Sequence, residues 1–204
     1  MESGKFILVL GSQSPRRKQL LSWLNLPFQI LTADLDEVSD ETNSEKIAMD
    51  IASQKARAVL EKNIEHKHPF IISSDTIVVL NEVLYGKPKD KDDARRILSE
   101  LAGHTHEVIT GVSFLFHDEN NKLREHLFYD STKVTFTDIP KALMESYIET
   151  GDSLDKAGAY GIQGPSLTFI SKLSGSYSNV VGFPLDKIIS EMEIILGPEW
   201  RKKF

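Results

Sequence analysis

Apolar and polar positions along this chain follow two periods, one suited to strands and one to helices. A continuous apolar run at 6–10, FILVL, is short enough for a buried strand, and Gly11 breaks it. The polar segment Ser12-Gln13-Ser14 leads to Pro15, beyond which Leu20, Leu21 and Leu24 recur at helical spacing. Ser14 suits the N-cap and Pro15 the first helical position, where its missing N–H would be unpaired anyway. This helix ends at Asn25 or at Leu26-Pro27, and 28–31 reads as a second strand. From Ser44 to about Leu60, a stripe of Ala48, Ile51, Ala52 and Val59 marks a longer helix. Residues 70–80, FIISSDTIVVL, read as a strand with a polar centre, followed by a turn at Asn81-Glu82. Asp90 caps a helix that places Ala94, Ile97, Leu98 and Leu101 inward, and Gly103 stops it. Strands at 108–116 and 127–136 form a hairpin across 118–121. A helix over 138–149 turns Leu143, Tyr147 and Ile148 inward and closes at Gly151. A short strand at 167–170, a loop at 175–179 and a last helix at 185–196 complete the pattern. The order β-α-β-α-β-β-α-β-β-α-β-α predicts an α/β protein with a mixed sheet.

At 204 residues the chain suits one or two domains. No linker, repeat or low-complexity segment divides it. The absence of cysteine excludes a disulfide framework, a thiolate metal site and a thiol nucleophile. The N-terminal MESGK lacks the apolar region of a secretion signal, and no run is long enough to span a membrane, so a soluble cytoplasmic protein is expected. A net charge of −6 argues against wholesale nucleic-acid binding. A bound polyanion must then meet a local cationic site.

Several residues carry candidate chemistry. Arg16 and Arg17 fall in the first turn of a helix, where the dipole favours anions over cations. They are either solvated charges or ligands of an anion held among free N–H groups, and the strand–loop–helix context favours a phosphate. The acidic loop at 34–41 is either solvated or reserves a carboxylate for a divalent cation. Lys55 lies on the apolar stripe, between Ile51 and Val59, so it either snorkels or points into a cleft. Asp75 interrupts a buried strand, which is costly unless it is paired or binds metal; the alternative is a bulge or turn at Ser73-Ser74. Lys87, in Gly86-Lys87-Pro88, is placed to hold a phosphate. His104 and His106 lack a third ligand and read as structural or exposed. The glycine-rich stretch 157–164 allows close approach of a ligand or of another chain segment, and Gln163 offers an amide suited to a base edge.

The chain resembles the Maf family of nucleoside triphosphate pyrophosphatases. The likeness rests on Ser12-Gln13-Ser14-Pro15-Arg16-Arg17, Ser74-Asp75-Thr76, Gly86-Lys87-Pro88, the stretch DKAGAYGIQG at 155–164 and GSYSNVVG at 175–182, in that order. It covers 7 to about 196 and implies one domain over 1–204, with a tail at 197–204 that has no assigned counterpart. It implies a mixed, strongly bent sheet flanked by helices, with two lobes around a deep nucleotide-binding cleft. It also implies hydrolysis of a nucleoside triphosphate to the monophosphate and pyrophosphate with Mg²⁺ or Mn²⁺, in a house-cleaning role.

By position, the resemblance makes Asp75 the general base, with Lys55 and Lys87 in the catalytic group. Ser12, Arg16, Arg17, Thr76 and Gln163 become substrate-binding residues, and Glu37 joins Asp75 at the metal. Arg16, Thr76 and Gln163 resemble the dTTP/UTP-type branch, so dTTP, UTP and modified pyrimidines such as 5-methyl-UTP are the expected substrates. The amide of Gln163 both donates and accepts, which matches the O4 and N3–H edge of uracil or thymine. The family further implies a homodimer. Two other expectations compete: a nucleotide-binding regulator of cell division with little turnover, and a pyrophosphatase for 7-methyl-GTP.

Overall fold

The computed structural model describes residues 5–62 and 68–204; the start of the N-terminal stretch, 1–4, lies outside these. Four central strands carry the architecture: β1 (Ile7–Leu10), β3 (Pro69–Leu80), β5 (Thr105–His117) and β6 (Leu123–Phe136). With β2 (Phe28–Ile30) and β7 (Ile170–Ser174) they form a sheet of order β2-β1-β3-β5-β6-β7, and β4 (Val83–Tyr85) pairs separately with β3. β1 lies parallel to β2 and β3, and every other pairing is antiparallel, so the sheet is mixed as expected. The helices are α1 (Pro15–Ser22), α2 (Ser44–Glu61), α3 (Lys91–Leu101), α4 (Lys141–Glu149), α5 (Tyr177–Val181) and α6 (Leu185–Leu196).

Side chains alternate across β3, and this alternation organises the core. On one face Phe70 and Ile72 join a large cluster with Leu8, Leu10, Phe114, Phe183 and Ile188. Farther along the same face, Val78 joins a second cluster with Leu98, Val108, Phe136 and Tyr147. Between them stand Ser74 and Thr76, so the two cores are separated by a polar band. On the other face Ile71 and Ile77 pack under α2. Gly111, opposite Asp75 on β5, lets α2 approach closely: a Cβ there would lie 2.3 Å from the backbone of Ala48.

Several expectations change at their boundaries. α1 stops at Ser22, before the polar Asn25, which has a left-handed φ of 53°. β5 extends past the expected 108–116 at both ends, and β6 begins at Leu123 rather than 127, because polar residues such as Arg124 and Glu125 complete the ladder. α4 starts at Lys141 rather than 138, and Met144 is buried beside Tyr147 and Ile148. The strand expected at 167–170 lies instead at Ile170–Ser174. Pro165 opens a 3₁₀ turn over Pro165–Thr168 that leaves Leu167 exposed. The loop expected at 175–179 contains α5, which Ser176 caps by accepting from the Asn179 N–H. The tail also packs: Trp200 is buried, and Phe204 meets Phe6 and Phe70 with ring centroids 5.9 and 5.4 Å apart.

His106 is structural. It is buried, with Nε2 2.8 Å from the Tyr160 hydroxyl, whereas His104 is exposed. Burial pushes the His106 imidazole down to about 4. The unfolded chain takes up this proton near its ordinary value of about 6.5, while the folded chain refuses it until about pH 4. Stability therefore falls with pH through that window, by about 2 kcal/mol from this group between pH 6.5 and 5. Urea denaturation across that range should show the fall, and His106→Gln should flatten it; an unchanged slope in the variant would assign the pH dependence to other groups.

Candidate functional site

β3 is longer than its outer neighbours. β1 pairs with it only as far as Ile72, and β4 meets it only from Val78. Residues 73–77 therefore have no strand on that side among the described residues. The segment after β1 fills the gap. Gly11 donates its N–H to the Ile72 carbonyl at 2.8 Å, and a side chain at Gly11 would meet Ser73 Oγ at 2.1 Å. The chain then turns into α1. Ser14 caps that helix by accepting from the Arg17 N–H, with Pro15 at its start, as predicted.

The two arginines of that first turn go different ways. Arg17 turns inward onto the open edge of β3. Its Nη1 donates to the Ser74 carbonyl at 2.6 Å and to Ser12 Oγ at 3.4 Å, and its Nη2 donates to Thr76 Oγ1 at 3.2 Å. Burial lowers the pKa of this guanidinium from its ordinary value, and the charge of Asp75 opposes the shift. Arg16 reaches across to Asp155 at 3.2 Å. Lys18, by contrast, is exposed.

On the α2 face, Asp75 is buried with 7% of its surface exposed, inside a continuous strand rather than a bulge. Lys55 does not snorkel. Its Nζ lies 2.6 Å from Asp75 Oδ1 and 2.9 Å from Glu37 Oε1. Two carboxylates thus converge on one ammonium. A carboxylate buried this deeply is tolerable only with such a partner.

Around these groups opens a cleft of about 880 Å³. Ser12, Arg16, Arg17, Glu37, Lys55, Asp75, Thr76, Lys87 and Gln163 all line it, so these nine residues come to one place, while His104 and His106 lie outside it. Lys87 and Gln163 are exposed and make no hydrogen bond or ion pair among the described residues. Of the two uses left open by its sequence, the glycine-rich stretch shows the close approach to other chain segments. Gly158 abuts Val78, and Gly161 leaves room for the Lys156 stem, which a Cβ would meet at 2.4 Å. The Gly158 N–H donates to the Gly86 carbonyl at 3.1 Å, tying this loop to the one that carries Lys87.

Sequence reasoning gave no role to Asp155 or Lys156. Lys156 Nζ bonds Asp155 Oδ1 at 2.6 Å, Asp152 Oδ1 at 2.9 Å and the Asp152 carbonyl at 2.6 Å. Burial acts to raise the Asp155 pKa, but Lys156 and Arg16 together hold it below its ordinary value. The signal for this knot was a charged pair just before a glycine that has to clear a side chain.

Among the described residues, no group of three or more His, Cys, Asp or Glu side chains is gathered for a metal. The Glu37 and Asp75 carboxylates form a two-oxygen donor set that converges on Lys55 Nζ. That set fits Mg²⁺ or Mn²⁺, since Mg²⁺ sites commonly use one or two carboxylates and complete their shell with phosphate oxygens and water.

Residues 7–194 match the family described as Maf-like protein. A dTTP/UTP pyrophosphatase from Geobacillus sp. is 42% identical over 187 residues, covering 91% of this chain and 96% of that protein. A dTTP/UTP pyrophosphatase from Agathobacter rectalis is 38% identical over 195 residues, covering 91% and 95%. Among solved structures, a HAM1 protein from Coxiella burnetii aligns at 11% identity with a TM-score of 0.47, over 91% of this chain and 99% of that one.

The shared ammonium makes Lys55 a competitor for any cation at Glu37 and Asp75. In Lys55→Met, Mn²⁺ should bind the nucleotide-free protein roughly fivefold more tightly, about 1 kcal/mol, as titrated by electron paramagnetic resonance. Unchanged or weaker Mn²⁺ binding would mean that these carboxylates do not form the cation site.

Proposed function

The chain belongs to the Maf family, and from that premise we propose that it is a nucleoside triphosphate pyrophosphatase. It hydrolyses dTTP and UTP, and modified pyrimidine nucleotides of the same edge pattern, to the monophosphate and pyrophosphate. The observation that carries this reading is the convergence of Asp75, Lys55 and Glu37 with Arg16, Arg17 and Lys87 in a single cleft. The names of relatives at 42% and 38% identity support the substrate pair.

In the reaction, a water oxygen attacks the α-phosphorus. The bond from that phosphorus to the bridging oxygen breaks, and pyrophosphate leaves. Asp75 takes the proton of the attacking water, and Lys55, 2.6 Å away, orients the carboxylate. Arg16, Arg17 and Lys87 face the phosphates and offset charge that spreads over their oxygens. Glu37 and Asp75 would hold Mg²⁺ or Mn²⁺, which neutralises phosphate oxygens when bound. Gln163, unbonded at the rim, reads the O4 and N3–H edge of the base.

A single domain carries this whole site. No helix among the described residues is long and apolar enough to cross a membrane, and we place the enzyme in the cytoplasm, acting on the free nucleotide pool. A homodimer is compatible with the outer edge of β6, where β7 pairs only with 133–136.

Pyrophosphate release from dTTP, UTP, CTP, GTP and 7-methyl-GTP tests the assignment. Fast release from dTTP and UTP alone is expected; release only from 7-methyl-GTP would retain the chemistry and discard the substrate. Asp75→Asn should lower kcat by about 10²- to 10⁴-fold while calorimetry still detects UTP binding. Full activity in that variant would exclude Asp75 as the base. Gln163→Ala should reduce the preference for UTP over GTP about tenfold in kcat/KM; an unchanged preference would remove Gln163 from base recognition.

A further inference from the structure

On the face of β3 opposite α2, a chain of hydrogen bonds runs in one direction only. Arg17 Nη2 donates to Thr76 Oγ1 at 3.2 Å. The hydroxyls of Thr76 and Thr110 lie 3.0 Å apart. Thr110 Oγ1 in turn lies 3.0 Å from the Asn179 carbonyl, to which it donates. A carbonyl only accepts, and a hydroxyl has one proton to give. The Thr110 proton is therefore committed to Asn179, so Thr76 must donate its own proton to Thr110 while accepting from Arg17. The sequence Arg17, Thr76, Thr110, Asn179 admits no reversal, and the Thr76 hydroxyl has no proton left for a ligand.

The far end of the chain is anchored. Asn179 is fully buried on α5, and its Nδ2 donates to the Val108 carbonyl at 2.9 Å and to Thr132 Oγ1 at 3.0 Å. α5 is also tied to β3 through Ser74 Oγ, which donates to the Gly182 carbonyl at 3.0 Å. Gly182, at a φ of 98°, packs on the same assembly: a Cβ there would lie 2.9 Å from Thr76 Oγ1 and 3.3 Å from Arg17 Nε. Thr110 itself is fully buried and does not line the cleft.

We infer that Thr110 is a positioning residue for the Arg17 guanidinium, acting through Thr76, and that Thr76 serves the site by orienting this arginine. The inference rests on the pyrophosphatase reading. Fixing the acceptor that Arg17 meets fixes the plane of the guanidinium, and a guanidinium held in one plane loses less entropy when it meets phosphate oxygens. Thr110→Val keeps the branched shape and removes the hydroxyl. Thr76 then loses its acceptor, and Arg17 faces a hydroxyl free to rotate.

The test is steady-state pyrophosphate release from UTP by Thr110→Val, Thr110→Ser, Arg17→Lys and the Arg17→Lys/Thr110→Val double variant, with thermal melts to confirm folding. Thr110→Val should lose about tenfold in kcat/KM, and Thr110→Ser should restore most of it. In the Arg17→Lys background, Thr110→Val should cost less than about twofold, because the residue through which it acts is already changed. Should Thr110→Val fail to fold, Thr110→Ala removes the same hydroxyl and carries the same expectation. Wild-type kinetics in the folded Val or Ala variant would overturn the inference. So would a penalty that persists in full beside Arg17→Lys, since a purely structural role would be additive. A wild-type protein that releases no pyrophosphate from any nucleotide would instead sink the pyrophosphatase reading, and the inference with it.

Discussion

β3 is paired along most of its length with β5, but among the described residues strands hold its outer edge only at the two ends, where β1 and β4 pair with it. An interior strand edge exposes carbonyl and N–H groups that need partners. Here the partner for the Ser74 carbonyl is a guanidinium rather than another strand. Satisfying backbone with a charged side chain brings positive charge into the middle of the sheet. That charge is the reason a net acidic protein can present a site for anions. The carboxylate next in sequence, on the opposite face, is balanced separately by Lys55, so one short stretch of strand carries a cationic side and an anionic side.

Charge in the cleft is largely paired before any ligand arrives. Lys55 serves Asp75 and Glu37, Arg16 serves Asp155, and Lys156 serves Asp152 and Asp155. Lys87 stands outside this pairing among the described residues. On the reading proposed above, a triphosphate would exchange ionic partners rather than fill a field of bare charge. Such exchange costs less reorganisation than desolvating isolated ions.

Much of this was legible in the sequence, for identifiable reasons. Ser14 and Pro15 announced a helix start, and the arginines at the wrong end of its dipole announced unusual partners, which are the Ser74 carbonyl and Thr76 for Arg17 and Asp155 for Arg16. Lys55 stood on an apolar stripe and Asp75 inside an apolar strand, two local violations that the ion pair between them resolves. What stayed hidden depends on contacts distant in sequence. Nothing near Thr110 shows that its hydroxyl meets residue 179, and nothing near Arg17 shows that it caps β3. The short strand after Pro165 was misplaced because a 3₁₀ turn and a short strand have the same apolar content. α5 was read as loop because a helix of one turn carries little periodicity beyond its serine cap.

Gly182 bears on how such a protein can change. Any side chain there would press on both Thr76 and Arg17, so the floor of the cleft is locked by mutual contact. Gln163 is exposed and makes no hydrogen bond or ion pair among the described residues, so replacing it leaves the fold undisturbed. Base preference is thus open to gradual adaptation or redesign through single substitutions. The setting of Arg17 is not, because altering it requires coordinated replacement of several interlocked residues.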